Sequence, residues 1–181
     1  MARREDFSIR PVVEQDLEQV LTWRNSERVR TKMFEHHVIP WENHRKWFAA
    51  QGKISFSWIF EYRREAIGVI TLKKVSEADD RWIWGCYLGD RRVVPKAGTI
   101  MGFVALEQFF DVMGVKLVIG EAVAANARSL DFNARLGFIT ARKFTQTTST
   151  GENIPAVYLT MTRDEWATHR RRLIPEIFDV E

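Results

Sequence analysis

Residues 99–113 read Thr-Ile-Met-Gly-Phe-Val-Ala-Leu-Glu-Gln-Phe-Phe-Asp-Val-Met, a helix-length run that is apolar on almost every face. Such a helix has to be buried, because no orientation on a surface hides its whole circumference. Gly114, which tolerates a left-handed backbone, stops it. The rest of the chain must therefore enclose this helix, and its patterning supplies the walls. Phe7-Ser8-Ile9-Arg10 alternates and ends at Pro11, a short first strand. Residues 54–62 and 66–73 alternate on either side of Arg63-Arg64-Glu65, which predicts a hairpin with Gly68 inside it. Residues 82–88 form a third, aromatic-rich strand, residues 116–123 a β-branched one, and residues 138–144 and 154–161 a closing pair.

The helical segments fall between them. Residues 14–25 carry Leu17, Val20, Leu21 and Arg24 at helical spacing, and residues 28–34 make a short helix or turn. Pro40 opens a helix over 41–48, and Gly137 ends one over 126–136. With 181 residues and no linker or repeat, the order predicts one α/β domain on a single central sheet. Its core spans about 7–166, and residues 167–181 form a charged helical tail.

Composition limits the function classes. Cys86 is the only cysteine, so no intrachain disulfide forms, and its apolar setting makes it a small buried hydrophobe. No apolar run reaches the about 20 residues that span a bilayer, and the basic start does not lead into a signal-peptide core. The expectation is a cytoplasmic protein, monomer or homodimer, without membrane or nucleic-acid partners. The net charge of +3 is small, and the clusters Ala2-Arg3-Arg4 and His169-Arg170-Arg171-Arg172 read as solvated ends. The histidines show no paired ligand spacing, so no metal is expected. Seven tryptophans and twelve phenylalanines exceed the needs of a core this size and predict a ring-lined cleft.

Two segments carry chemistry. A strand ends at Leu88-Gly89, a loop with Arg91, Arg92 and Lys96 follows, and the buried helix begins near Gly98. A helix N-terminus offers unpaired N–H groups and a positive dipole end to phosphate oxygens. The second segment is Asn126-Ala127-Arg128-Ser129-Leu130-Asp131-Phe132-Asn133-Ala134-Arg135-Leu136-Gly137-Phe138. Together they resemble the two acetyl-coenzyme A motifs of the GNAT N-acetyltransferases.

That resemblance implies a mixed, mostly antiparallel sheet splayed between its fourth and fifth strands and flanked by helices. It implies acetyl-coenzyme A as cosubstrate, held by Leu88, Lys96, Gly98, Thr99, Ile100, Gly102, Asn126, Ser129, Phe132 and Arg135. The phosphate loop departs from the family, since Lys96-Ala97-Gly98 keeps only the second of two glycines. A narrower resemblance, to the amino-sugar acetyltransferases of pseudaminic-acid biosynthesis, rests on Trp23-Arg24-Asn25, Met33, His44, Lys73-Lys74, Trp84-Gly85-Cys86-Tyr87, Gly98-Thr99-Ile100-Met101-Gly102 and Gly120-Glu121. It implies as acceptor the 4-amino group of a UDP-linked dideoxy sugar, with Arg24, His44, Lys73, Lys74 and Tyr87 near it.

Each residue also has a plainer reading. Arg24 suits a helix C-terminus, His44 a packed neutral imidazole, and Lys73-Lys74 a solvated strand end. The Tyr87 hydroxyl meets either the sugar or a core polar group. Glu121 is the only acid inside the apolar strand 117–123; burying a carboxylate is costly unless it is used, which makes it the candidate base. Asn133 stands where the family places a tyrosine that reprotonates the leaving thiolate, and asparagine cannot supply a proton near neutral pH. Either water or Tyr87 then takes the acid role, or the thiolate leaves unaided. Direct transfer in a ternary complex is expected, because no nucleophilic triad can be assembled. The competing expectations are a protein N-terminal acetyltransferase and a coenzyme A-binding regulator without catalysis.

Overall fold

The alternating segments pair into one seven-stranded sheet of order β1-β2-β3-β4-β5-β7-β6. The computed structural model describes residues 3–78, 80–90 and 94–179. The strands are β1 (Phe7–Pro11), β2 (Ser55–Tyr62), β3 (Glu65–Lys74), β4 (Arg81–Leu88), β5 (Leu117–Val123), β6 (Ile139–Thr147) and β7 (Asn153–Thr162). All neighbours run antiparallel except β4 and β5. A parallel pair needs a crossover, and the buried helix is that crossover: α4 (Ala97–Glu107), continued by a π-helical turn at Gln108–Val112.

The helix is enclosed as its composition demands. Ile100, Phe103, Val104, Leu106, Phe109 and Phe110 are all buried, and Trp58, Ile70, Leu72 and Trp84 of the sheet belong to the same core. Gly102 lets α5 (Ala127–Leu136) approach, since a Cβ there would lie 2.4 Å from Leu136. The opposite face of the sheet carries α1 (Leu17–Asn25), α2 (Glu27–Arg30) and α3 (Trp41–Ala49), packed on Ile59 and Val69 through Leu17, Val20 and Trp47.

Two expectations shift. The helix predicted from 99 starts at Ala97, because Lys96 takes a left-handed backbone (φ 61°) and acts as its N-cap. The charged tail is more than a tail: α6 (Arg163–Ile177) is amphipathic, and Trp166, Leu173, Ile177 and Phe178 enter the main core. Its arginines therefore lie on the outer side of a docked helix, and the core extends past residue 166.

Candidate active site

β4 and β5 are paired only from Arg81–Leu117 to Trp84–Gly120. Beyond that rung, residues 85–88 stay bonded to β3 and residues 121–123 to β7, so the strands diverge and their inner edges no longer pair with each other. A cleft of about 1610 Å³ opens from this split. Alternation assigns its side chains to two faces. Trp84 stacks on Phe138 (5.5 Å) and lies 6.0 Å from Phe132, so the Trp84–Gly120 rung faces α5. Gly85, Tyr87 and Glu121 consequently face α1–α3.

One arm of the cleft runs past the starts of α4 and α5. Lys96, Gly98 and Thr99 line it at the first turn of α4, where no acidic residue opposes an anion and a Cβ on Gly98 would meet nothing within 4 Å. The Lys96 ammonium donates to the Glu176 carbonyl at the end of α6, which ties the helix start to the docked tail. Asn126 caps α5 through its side chain, accepting from the Ser129 N–H at 3.2 Å, and Asn126, Ser129, Phe132, Asn133 and Arg135 all line the cleft. Asn133 is 6% exposed. Its Nδ2 donates to the Ser129 carbonyl at 2.8 Å, and since a carbonyl only accepts, the amide orientation is fixed. Oδ1 is left buried without a partner, beside Gly120. Asn133 therefore donates from Nδ2 within α5 and presents an unpartnered acceptor, Oδ1, at the Gly120 side.

This arm suits acetyl-coenzyme A. The diverging strand edges match the amides of an extended pantetheine arm, the α4 start matches a pyrophosphate, and the orphaned Asn133 oxygen awaits a donor.

The other arm is walled by α1, α2, α3 and the irregular segment 31–40. Arg24 donates from Nη2 to the Glu35 carbonyl (2.7 Å), while its Nη1 is buried without a partner. Burial pushes this guanidinium below its ordinary value, against the opposing pull of Tyr87 and Glu35. Arg28 donates to the carbonyls of Leu88 and Gly89, each at 2.9 Å, and Lys32 also lines the wall. None of the three has a carboxylate within 4 Å among the described residues. The Glu35 carboxylate instead accepts from the Ser149 N–H (2.7 Å) and hydroxyl (2.6 Å), bridging segment 31–40 to the β6–β7 turn. Those two bonds hold the Glu35 carboxyl below the usual range.

Glu121, the first residue past the last β4–β5 rung, lines the cleft half-buried. Burial pushes its carboxyl above the ordinary value, and Arg142 pulls the other way. Burial likewise pushes the Tyr87 hydroxyl well up, so it stays protonated. The Cys86 thiol, pushed up to about 12, is an inert wall of the cleft, not a nucleophile.

Several implied site residues lie elsewhere or serve packing. Ile100 is fully buried in the core and Gly102 packs against α5, so neither reaches the cleft. Lys73 and Lys74 pair with Ile83 and Trp82, at the end of β3 remote from the split, and Lys74 caps the Glu77 carbonyl and sits 5.6 Å from the Trp82 ring. His44 lines the cleft, but its Nε2–H donates to the Leu17 carbonyl (3.0 Å), its ring stacks on Trp47 (5.0 Å), and burial lowers its pKa. It is the packed neutral imidazole of the plainer reading. Arg91 and Arg92 lie outside the described residues. Sequence reasoning missed Arg28, Lys32, Glu35, Ser149 and Arg142, whose only local signal is polarity in turns and on an edge strand.

Comparison with known proteins gives the fold a family. The family model described as "Acetyltransferase (GNAT) domain" matches residues 6–139. Comparison with curated sequences gives no match. Among solved structures, a spermidine N-acetyltransferase from Vibrio cholerae in complex with CoA and spermine superposes with a TM-score of 0.79 at 10% identity, covering 90% of this chain and 99% of that one. The aminoglycoside acetyltransferase AAC(6')-Ib in complex with coenzyme A gives 0.74 at 18%, covering 91% and 99%. A GNAT-family acetyltransferase from Bacillus anthracis gives 0.72 at 16%, covering 88% and 96%. At these identities the superpositions speak for the fold, and the family match speaks for the chemistry. The chain belongs to the GNAT family, as an N-acetyltransferase whose acyl donor is acetyl-coenzyme A.

Proposed function

We propose that this protein acetylates the primary amine of a small acceptor that also carries negative charge, best matched by the 4-amino group of a UDP-linked dideoxy sugar. The observation that carries the reading is the cationic wall of Arg24, Arg28 and Lys32, none of them within 4 Å of a carboxylate among the described residues. A diphosphate would find charge-assisted donors there, including the unpartnered Nη1 of Arg24. Polycations such as spermine or ribostamycin, named with solved relatives, would meet like charge. The narrower sequence resemblance points the same way through Arg24 and Tyr87, although Lys73 and Lys74 play no part in it. The Glu35–Ser149 bridge across the acceptor arm favours a small ligand over a polypeptide chain.

Acetyl-coenzyme A supplies the acetyl group already activated as a thioester. The chain does the rest. Lys96, Gly98, Thr99, Asn126, Ser129 and Arg135 hold the donor's arm, and the arginine wall orients the acceptor, which places the two reactants together. Glu121 takes the proton that the ammonium must lose before it can attack. N–H groups on the inner edges of residues 85–88 and 121–123 polarise the carbonyl under attack. Asn133 cannot supply a proton near neutral pH, and burial makes the Tyr87 hydroxyl a weaker acid still, so the thiolate, whose thiol has a pKa of about 8.5, leaves without a protein acid and takes its proton from water.

A thiol-release assay across a UDP-linked 4-amino sugar, spermidine, an aminoglycoside and a peptide N-terminus tests the reading. The nucleotide sugar is expected to give the highest kcat/KM. Faster turnover of spermidine or the peptide than of every anionic amine would end it.

A further inference from the structure

β6 carries one extra residue between Thr140 and Arg142. Regular pairing would set Ala141 opposite Tyr158 and turn Arg142 to the other face of the sheet. The bulge skips Ala141 and places Arg142 opposite Tyr158, which is itself opposite Glu121 on β5. Directly opposed residues share a face, so Glu121, Tyr158 and Arg142 form one row across three strands. Strands lie about 4.8 Å apart, which puts the ends of that row about 10 Å apart at Cα, within reach of an arginine leaning inward. The guanidinium does lean across the intervening residue: its carbon is 4.7 Å from the Tyr158 ring centroid and 5.4 Å from that of Phe144. Two aromatic faces seat it. Among the described residues no carboxylate lies within 4 Å of it, so its charge is not spent on a surface pair.

We propose that Arg142 is a positioning residue, the counter-charge directed at Glu121 through the Tyr158 row, and that it fixes this carboxylate as the proton acceptor of the reaction. The proposal rests on Glu121 being the base. Bulges beside active sites commonly re-aim one side chain, and here the re-aimed side chain is the only cation of β6 and β7 turned toward that carboxylate's row. The other charged or titratable groups around the acceptor arm are Cys86 and Tyr87 of β4, Arg24 of α1, Arg28 of α2, His44 of α3, and Lys32, Glu35 and His37 of segment 31–40, with Tyr158 of β7 in the row of Glu121 itself. Of these neighbours and Arg142, it is Arg142 whose charge acts on the Glu121 carboxyl, opposing the upward push of burial. A base works above its own pKa. Holding that value down keeps Glu121 competent toward lower pH.

The test is a carboxyl-carbon NMR titration of Glu121, assigned by its loss in Glu121→Gln, in wild type, Arg142→Gln and Arg142→Lys. Arg142→Gln should move the Glu121 titration to higher pH, and the acidic limb of kcat/KM for whichever amine is turned over should move with it, while the high-pH plateau holds. Arg142→Lys keeps the charge and should stay near wild type. Phe144→Leu, which unseats the guanidinium without removing it, should shift both in the same direction by less, and it serves if Arg142→Gln folds poorly. An unmoved Glu121 titration in Arg142→Gln, with Glu121→Gln still inactive, overturns the role of Arg142 alone. A titration that moves while the acidic limb stays fixed removes Glu121 as the base, and the proposal with it.

Discussion

Asn133→Ala should make the free protein at least as stable as wild type while weakening its hold on acetyl-coenzyme A. The Nδ2 bond to the Ser129 carbonyl contributes about 1 kcal/mol net, and the mutation gives it up. That carbonyl keeps its backbone helical partner within α5, so nothing new is orphaned. The buried, unpartnered Oδ1 costs about 1–3 kcal/mol of desolvation, and the mutation removes that cost. The balance is about 0–2 kcal/mol in favour of alanine, and each kcal/mol moves Tm by about 2–4 °C for a chain of this size. If Oδ1 finds its donor in the bound cosubstrate, losing that bond costs about 1 kcal/mol, or roughly fivefold in Kd. Thermal unfolding with and without saturating acetyl-coenzyme A reads both effects, because a ligand stabilises the fold by mass action. A less stable free variant whose ligand-induced rise in Tm matches wild type would refute the argument, since Oδ1 would then be satisfied within the free protein.

Other expectations follow from the same cleft. Burial raises the folded Glu121 pKa above its unfolded value, so the fold retains a proton the unfolded chain has lost, and stability falls as pH rises from the ordinary carboxylate range to the raised value. Glu121→Gln should therefore be more stable than wild type at neutral pH, by denaturant unfolding, yet far slower and without the acidic limb of the rate profile. Arg24→Ala and Arg28→Ala should each raise KM for an anionic acceptor by about tenfold, the worth of one charge-assisted hydrogen bond, and leave KM for acetyl-coenzyme A unmoved; Lys74→Ala should change neither. Glu35→Ala should speed amide hydrogen exchange at Ser149 and raise the relative rate with bulkier acceptors, because it cuts the bridge over the acceptor arm.

Much of the fold was legible because its signals are local. The period-two runs, the all-round apolar helix and the Gly137 stop each specify an element without reference to the rest of the chain. Where the expectation slipped, a distant contact decided. Lys96 holds a left-handed N-cap with its ammonium on α6, and α6 reads as a charged tail until Trp166, Leu173 and Ile177 are seen to share one side. The motif residues Lys96, Gly98, Thr99, Asn126, Ser129, Phe132 and Arg135 do line one cleft. Ile100 and Gly102 match that motif for packing reasons, which a family pattern does not separate from ligand contact. The acceptor arm was the least readable. Arg28 and Lys32 look like solvent-facing residues of a turn, and Glu35 and Ser149 are 114 residues apart. Lys73 and Lys74 fit a nucleotide by composition alone, whereas strand register puts them at the wrong end of β3. Which atom of Asn133 is left unpartnered depends on one hydrogen bond, to the Ser129 carbonyl a turn earlier.

Initial rates with acetyl-coenzyme A and an accepted anionic amine varied together test the central claim most directly. Direct transfer with both substrates on the enzyme predicts intersecting reciprocal plots and no burst of free thiol when the amine is left out. Parallel plots, with a stoichiometric thiol burst in the absence of amine, would reveal an acetylated enzyme and contradict the account of this cleft.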